Sequence, residues 1–461
     1  MGTGNVARRN FIGACAAGAA SSGLAQRKGT RPNILYIHSH DTGRYLQPYG
    51  HAVPAPNLQR LAEAGVLFRK AFNAAPTCSP SRASLLTGMC PHRNGMLGLA
   101  HRGFSLNDYR QHIVHTLRTA GYRSVLCGLQ HVARDPKVIG YDEVMSFQGN
   151  HVEDVAPAAA AFLGGKHDAP FFLDTGFFET HREFRRPGPG EDLRFCQPPA
   201  PIPDTPATRA DMAAFKASVR VMDDGVGKVL DALEANGLAE NTLVISTTDH
   251  GIAFPAMKCS LTDHGMGVSL ILRGPGGFLG GKVVDGMVSH LDIFPTLCEL
   301  AGIGKPPRLE GASLLPLVCG EAEEIHEEIF AEVNYHAAYE PKRAARTRRW
   351  KYIKHFDGRG HPNLPNCDDG LSKSYWLEKG WKDREVEREQ LFDLVFDPNE
   401  TRNVAGESGA RSALEEMRGR LSRWMHRTGD PLLQGPVAAP KGAKVNDPDG
   451  ISPKETPRVI G

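Results

Sequence analysis

The sequence predicts an α/β protein, with a mostly parallel central sheet covered by helices on both faces and a smaller antiparallel subdomain after it. Three observations carry this. Short apolar, β-rich runs alternate with helical stretches along the first two thirds of the chain. Each run ends in a polar cluster, and in such sheets ligands gather at the carboxyl ends of strands. After Ile329 the alternation gives way to separate short strands and one terminal helix.

Taken in order, Asn33-Ile34-Leu35-Tyr36-Ile37 is a continuous apolar run, as a strand buried on both faces requires, and it leads into His38 to Arg44. Leu58 to Ala64 reads as a short helix. Ser81 to Thr87 begins another, with Ser79 or Ser81 as its N-cap. Ser124 to Cys127 is a second strand, ending in a polar run that holds His131. Pro170 to Leu173 is a third, running into Glu179, His181 and Arg182. Thr208 to Asn236 is the clearest helix: Met212, Phe215, Val219, Met222, Val226, Val229 and Leu233 fall on one stripe, and Gly237 ends it. Asn241 to Ser246 is a fourth strand that delivers Thr248-Asp249-His250-Gly251, and Val268 to Leu272 is a fifth. Trp350 to Ile353 and Leu391 to Leu394 read as strands of the smaller antiparallel sheet, and Ala410 to Arg427 as its helix. The expected organisation is a leader at 1–25, an α/β domain at 31–330, a C-terminal subdomain at 331–435 and a loose tail, rich in Pro, Gly and Lys, at 436–461.

Composition narrows the function classes. The chain has 461 residues, 41% hydrophobic and 23% charged, an ordinary globular balance. Its 54 basic and 52 acidic side chains nearly cancel, which argues against a nucleic-acid binder. The basic run from Arg343 to Lys354 is short and interleaved with Trp350 and Tyr352, and reads as a solvated strand and turn. Of nine cysteines, setting aside Cys15 and Cys78 leaves an odd number with no framework-like spacing, so at most one or two disulfides are expected.

Arg8-Arg9-Asn10-Phe11-Ile12-Gly13 is a twin-arginine pair followed by an Ala- and Gly-rich apolar stretch. It reads as a Tat-type export signal, too short for a membrane span, and implies a periplasmic or secreted protein. Cys15 follows the arginine pair too soon to be read as a lipid anchor.

The chemistry centres on Cys78-Ser79-Pro80-Ser81-Arg82, continuing as Leu86-Thr87-Gly88. A cysteine at such a junction is often an inert small hydrophobe, and it can also be a thiol activated by a helix N-terminus. Two Asp/His pairs, His40-Asp41 and Asp249-His250, lie at the ends of separate strands with this motif between them in sequence. Together they offer oxygen and nitrogen donors suited to one divalent metal ion. Arg82, His131, His181 and Lys258 would add the positive and proton-carrying groups that hydrolysis of an anionic ester needs.

These strings resemble the type I, formylglycine-dependent sulfatases: RPNILYIHSHD, APNLQRLAEAGVLFRKAF, CSPSRASLLTG, HVARD, TDHGIAFP, SHLDIFPTL and LFDLVFDPNETRNVA. Within that family the chain is most similar to the heparan N-sulfatase (sulfamidase) branch, on NGMLGLAHRGFSLND, TPATRADMAAFKASVRVMDDGVGKVL and the closing WMHRTGDP. The resemblance implies an alkaline-phosphatase-like α/β sandwich. It implies hydrolysis of sulfate esters or sulfamates of carbohydrates, N-sulfoglucosamine of heparan sulfate among them, and a role in glycosaminoglycan degradation. It makes Cys78 the precursor of formylglycine, formed by a formylglycine-generating enzyme, and Arg82 the residue that holds it. It makes His131, His181 and Lys258 catalytic, and Asp41, Asp249, His250, Cys78 and His40 the metal set, with calcium as the family's metal.

Two positions depart from the family pattern. His40 stands where the first of two adjacent aspartates is usual, and Leu129 where a lysine precedes the first site histidine. The missing lysine removes a charge-assisted contact worth ~1–3 kcal/mol. Histidines in the donor set lean it from calcium towards manganese or zinc. Two alternatives therefore stand beside a sulfatase: a phosphodiesterase or phosphonate monoester hydrolase of the same superfamily, and a non-catalytic glycan-binding relative.

Overall fold

The computed structural model describes residues 31–461, so the expected twin-arginine leader and Cys15 lie outside the described residues. The main sheet has nine strands. They are β1 (Asn33–His38), β2 (Val66–Phe72), β3 (Arg123–Gly128), β4 (Glu143–Met145), β5 (Phe171–Gly176), β6 (Thr242–Thr247), β7 (Gly267–Val268), β8 (Leu270–Arg273) and β9 (Lys282–Ser289). Their order is β4-β3-β5-β1-β6-β8-β2-β7, with β9 pairing β2. The pairs from β4 to β6 are all parallel, whereas β8 runs antiparallel to both β6 and β2. The sheet is thus mostly parallel but mixed. The run read as one fifth strand is two, β7 and β8, interrupted at Ser269, and each pairs antiparallel with β2.

Both faces are buried, which is why β1 reads as apolar throughout. Ile34 and Tyr36 face one core with Phe172, Leu243 and Ile245. Leu35 and Ile37 face the other with Leu173, Val244 and the apolar stripe of helix Pro206–Ala235. That helix starts on Thr205, whose Oγ1 accepts from the Thr208 backbone, with Pro206 in its first turn. Helix Cys78–Thr87 differs from the sequence reading at its start. It begins at Cys78 with no side-chain cap, and Ser81 Oγ instead donates to the Asp249 carbonyl at 2.6 Å.

The second sheet is four-stranded and antiparallel: β10 (Ile329–Tyr335), β11 (Tyr339–Arg346), β12 (Trp350–His355) and β13 (Glu389–Asp393), with helix Arg411–Thr428 packed on it. Here the solvated reading of the basic run fails. Arg343 is wholly buried, with its Nε and Nη2 on Asp430 at 2.6 and 3.0 Å. Arg346 and Lys351 are buried and paired to Asp263 at 2.8 Å each. These charges are solvated by carboxylates brought from elsewhere in the chain.

Residues 436–461 are also not loose. Lys444–Val445 (β14) pairs with Arg458–Val459 (β15), and Ala443 and Val445 enter the main core. The eight cysteines among the described residues are free thiols. No helix among the described residues is long and apolar enough to cross a membrane.

Candidate functional site

Four neighbouring parallel strands, in the order β3-β5-β1-β6, end on the same edge. Their exits carry His131, His181, His40-Asp41 and Asp249-His250 in that order. Because β1 and β6 are adjacent and in register from Asn33↔Thr242 to His38↔Thr247, Asp41 and Asp249 are brought together. The Asp41 backbone N–H donates to Asp249 Oδ1 at 2.9 Å. Asp41 and His131 both sit in the left-handed region, φ 56° and 57°, an uncommon backbone for non-glycine residues that concentrates at functional sites. Gly176 closes β5 where a Cβ would lie 2.0 Å from the Leu129 carbonyl and 2.4 Å from the His38 ring, so a side chain there would push the β1 and β3 exits apart.

Helix Cys78–Thr87 points its first residue into this edge. Cys78 is 2% exposed, and its Sγ lies 3.3 Å from His250 Nε2. One turn on, Arg82 lies on the same face of the helix. Its guanidinium donates to the Ser39 carbonyl at 2.9 Å, to Asp249 Oδ2 at 3.0 Å and to His38 Nδ1. Burial pushes the Cys78 thiol well above its ordinary pKa, against the pull of Lys258. An unmodified thiol here is therefore not the ionised nucleophile that thiol catalysis needs.

Lys258 bridges two carboxylates, Asp41 Oδ2 at 2.9 Å and Asp368 Oδ2 at 2.8 Å, and lies 3.5 Å from His181 Nε2. Burial would lift the Asp41 pKa, but Lys258, His40, His181 and His250 together hold it well below the carboxylate range. Asp249 is held low by Arg82 first and then His250 and His40, again against burial. Burial pushes His40 down to about 4 despite Asp249 and Asp41 beside it, leaving a neutral imidazole. Its Nδ1 is 2.8 Å from Asp41 Oδ1 and 3.4 Å from Asp249 Oδ2.

His40, Asp41, Cys78 and Asp249 each offer a donor atom within 4.8 Å of the others, and His40, Cys78 and His131 do the same. His250 Nε2 adds a donor 3.3 Å from Asp41 Oδ1. Two carboxylates with neutral imidazoles are a set that fits a divalent cation. The structure thus gathers Cys78, Arg82, Asp41, His40, Asp249, His250, Lys258, His131 and His181 at one place. It adds residues the sequence reading missed: His38 and Asp174 behind Arg82, His101 2.8 Å from His131, and Asp368 on Lys258. Of these only His38 carried a sequence signal, as a polar residue closing an apolar strand.

The sulfatase family model matches residues 32–303, and a model described as N-sulphoglucosamine sulphohydrolase, C-terminal, matches 257–365. The chain belongs to the sulfatase family. It is 31% identical to human N-sulphoglucosamine sulphohydrolase over 88% of its own length and 92% of that protein's. Among solved structures it is similar to a protein in complex with its substrate D-glucosamine-2-N,6-O-disulfate (TM-score 0.69, 17% identity, 91% of this chain and 99% of that one). It is also similar to phosphonate monoester hydrolase of Agrobacterium radiobacter (TM-score 0.65, 21% identity, 89% and 100%). As a sulfatase the protein is a hydrolase of sulfate esters or sulfamates, and its mixed sheet with a separate antiparallel sheet is the alkaline-phosphatase-like architecture of its fold neighbours.

Proposed function

We propose that this sulfatase is an exported enzyme that removes sulfate from sulfated carbohydrate, N-sulfoglucosamine of heparan sulfate being the leading substrate, through a formylglycine made from Cys78 by a formylglycine-generating enzyme. The observation that carries this reading is the placement of Cys78, whose sulfur sits within 4.8 Å of donor atoms of Asp41, Asp249, His40 and His131 and 3.3 Å from His250. The Cys78 sulfur marks where the aldehyde hydrate would stand. One of its two hydroxyls attacks sulfur as the bond from sulfur to the leaving nitrogen or oxygen breaks. The second then gives up its proton, the bond from carbon to the sulfate oxygen breaks, and the aldehyde returns as sulfate leaves. This internal exit is why a hydrate serves where a serine would remain sulfated.

The residues divide the work by position. Arg82, fixed by Asp249 and the Ser39 carbonyl, orients the hydrate. His131, within 4.8 Å of Cys78 Sγ, suits removal of the diol proton. His181, part-exposed beside Lys258, suits protonation of the leaving group. Lys258 presents its charge to the sulfuryl oxygens while Asp41 and Asp368 hold it. Asp41, Asp249, His250 and His40 would hold one divalent metal ion with the modified Cys78, and that ion would supply charge stabilisation at the sulfuryl group. His40 in the donor set favours manganese or zinc over calcium.

Co-expression with a formylglycine-generating enzyme, followed by mass analysis of the peptide containing Cys78, tests the reading. Conversion lowers the peptide mass relative to the thiol, and Cys78→Ala abolishes sulfate release from heparin-derived saccharides. An unconverted peptide sinks the proposal. A second reading, hydrolysis of phosphate diesters or phosphonate monoesters, is motivated by His40, and a higher kcat/KM on those substrates than on sulfates selects it.

A further inference from the structure

The two ring nitrogens of His131 meet different surroundings. Nε2 lies 2.8 Å from His101 Nδ1. Nδ1 is buried and has no hydrogen-bond partner among the described residues. The two rings stand 5.1 Å apart between centroids and 14° from parallel, so the bond between them runs nearly in the plane of both. A ring nitrogen of His131 also comes within 4.8 Å of Cys78 Sγ. With Nε2 engaged by His101, Nδ1 is the nitrogen left for the site.

Local structure fixes both rings. His131 takes a left-handed backbone, φ 57°, in a turn that Gln130 closes by accepting from the Ala133 N–H at 2.8 Å. Tyr109 holds the same turn by donating to the Val132 carbonyl at 3.2 Å. His101 lies on the short turn Ala100–Arg102. The Ala100 N–H donates to Oγ of Ser79, the residue after Cys78, at 3.0 Å, and Arg102 donates to Asn446 Oδ1 at 2.7 Å. The histidine pair is thereby held in register with the helix that carries the nucleophile.

Burial, then Arg102 and His181, pushes His101 down to about 4. Burial, then His40, His101 and Arg82, outweighs Asp249 and holds His131 well below the ordinary imidazole range. Both rings are neutral, so one N–H lies between them. If His101 gave that hydrogen, His131 would carry its own on Nδ1, a buried donor with no acceptor. If His131 gives it, Nδ1 keeps a lone pair. His101 then has its proton on Nε2, and as an exposed residue it can donate that proton to water. Stranding a buried donor is the costlier arrangement, so His131 is the donor.

We infer that His101 is a positioning residue for the reaction at Cys78: by accepting from His131 Nε2 it fixes the tautomer whose Nδ1 lone pair faces the nucleophile. The inference deepens the proposed function and rests on the base role given there to His131. In that role Nδ1 takes the proton of the second hydroxyl. The electron pair of that O–H bond forms the carbonyl, and the pair of the breaking C–O bond leaves with sulfate. His131 then holds two protons, its Nε2–H still on His101. In catalytic triads a buried carboxylate orients the histidine in this way. A neutral imidazole does so here without placing another negative charge beside an anionic substrate.

Nitrogen-15 NMR of the histidine-labelled full chain, with Cys78 unconverted, reads the tautomer without any turnover. His131 is assigned by the signals that His131→Gln removes. At neutral pH the wild type is expected to carry the His131 proton on Nε2, and His101→Ala to move it to Nδ1 or to a mixture. In the matured chain acting on a small aryl sulfate, His101→Ala is expected to lower kcat about 10- to 100-fold with KM little changed. His101→Asn, whose side-chain oxygen can accept from Nε2, is expected to restore most of that loss. A His131 proton on Nδ1 in the wild type overturns the inference, as does His101→Asn no faster than His101→Ala at equal Cys78 conversion. Loss of the sulfatase reading would show differently, as no turnover of any probe by chain whose Cys78 is converted, with the wild-type tautomer unchanged.

Discussion

His38 Nε2 donates to Asp174 Oδ1 at 2.8 Å across the β1–β5 pair, with both side chains at most 2% exposed. This bond leaves His38 Nδ1 free to accept from Arg82, so Asp174 sets the tautomer that the arginine needs. Tyr141 donates to the second Asp174 oxygen and completes the chain. Removing the acceptor with Asp174→Ala is expected to free the His38 ring and cost about 1.5–3 kcal/mol of transition-state stabilisation, the range for a hydrogen bond to a charged group. That corresponds to a fall of about 10- to 100-fold in kcat with a smaller change in KM. Asp174→Asn, which keeps an acceptor, should recover part of it. The check is steady-state kinetics on an aryl sulfate, with Cys78 conversion measured in the same samples. Equal loss in the two variants would refute the tautomer role.

His40 places an imidazole Nδ1 where it approaches both Asp41 and Asp249. Oxygen-only sets suit calcium, and imidazole shifts preference towards manganese or zinc. Dialysis against equal calcium and manganese should leave the wild-type chain with manganese. His40→Asp should retain a larger share of calcium. Elemental analysis reads both, and calcium retained by the wild type would contradict the assignment.

Sequence reading reached the centre of the site because its parts are local. Cys78 and Arg82 lie four residues apart on one helix, and Asp41 and Asp249 each follow an apolar strand by two or three residues. Adjacent parallel strands then bring such ends together. Asp368 was invisible because its partner Lys258 lies far away in the chain and nothing periodic marks it. The segment 436–461 was misread as a loose tail for a similar reason. Two small apolar residues, Ala443 and Val445, anchor it, too few to show a pattern among Pro, Gly and Lys. A charged residue on a strand likewise does not announce its partner: Arg343 looked solvated because Asp430 is distant in sequence.

Arg343 gives a stability prediction. Its guanidinium serves Asp430 bidentately and lies 3.5 Å from Glu332, with all three side chains out of solvent. Arg343→Met removes the cation and leaves two buried carboxylates, a loss of about 3–5 kcal/mol by the usual cost of breaking a buried pair. The double variant Arg343→Met with Asp430→Asn should recover part of the loss, because the stranded charge goes with its partner. Denaturant midpoints of the three proteins measure this, and additive losses would refute the coupling.

The same network holds a titrating group. The His92 side chain is 1% exposed; its Nδ1 bonds Glu332 Oε2 and its backbone N–H donates to Glu332 Oε1 at 2.7 Å. Burial alone would lower its pKa, but Glu332 and then Asp430 outweigh that and raise it above the ordinary 6.5. Arg343, the other cation in the network, opposes the rise. The folded state therefore binds this proton more tightly than the unfolded chain does. The resulting stability is fully present below about pH 6.5 and is lost as pH rises through the folded-state pKa. Thermal unfolding from pH 5 to pH 9 should show wild type exceeding His92→Gln by most at the acid end, with the gap narrowing towards alkaline pH. Glutamine keeps a donor for Glu332 but has no proton to lose, so a gap constant across that range would show that His92 does not titrate in the network.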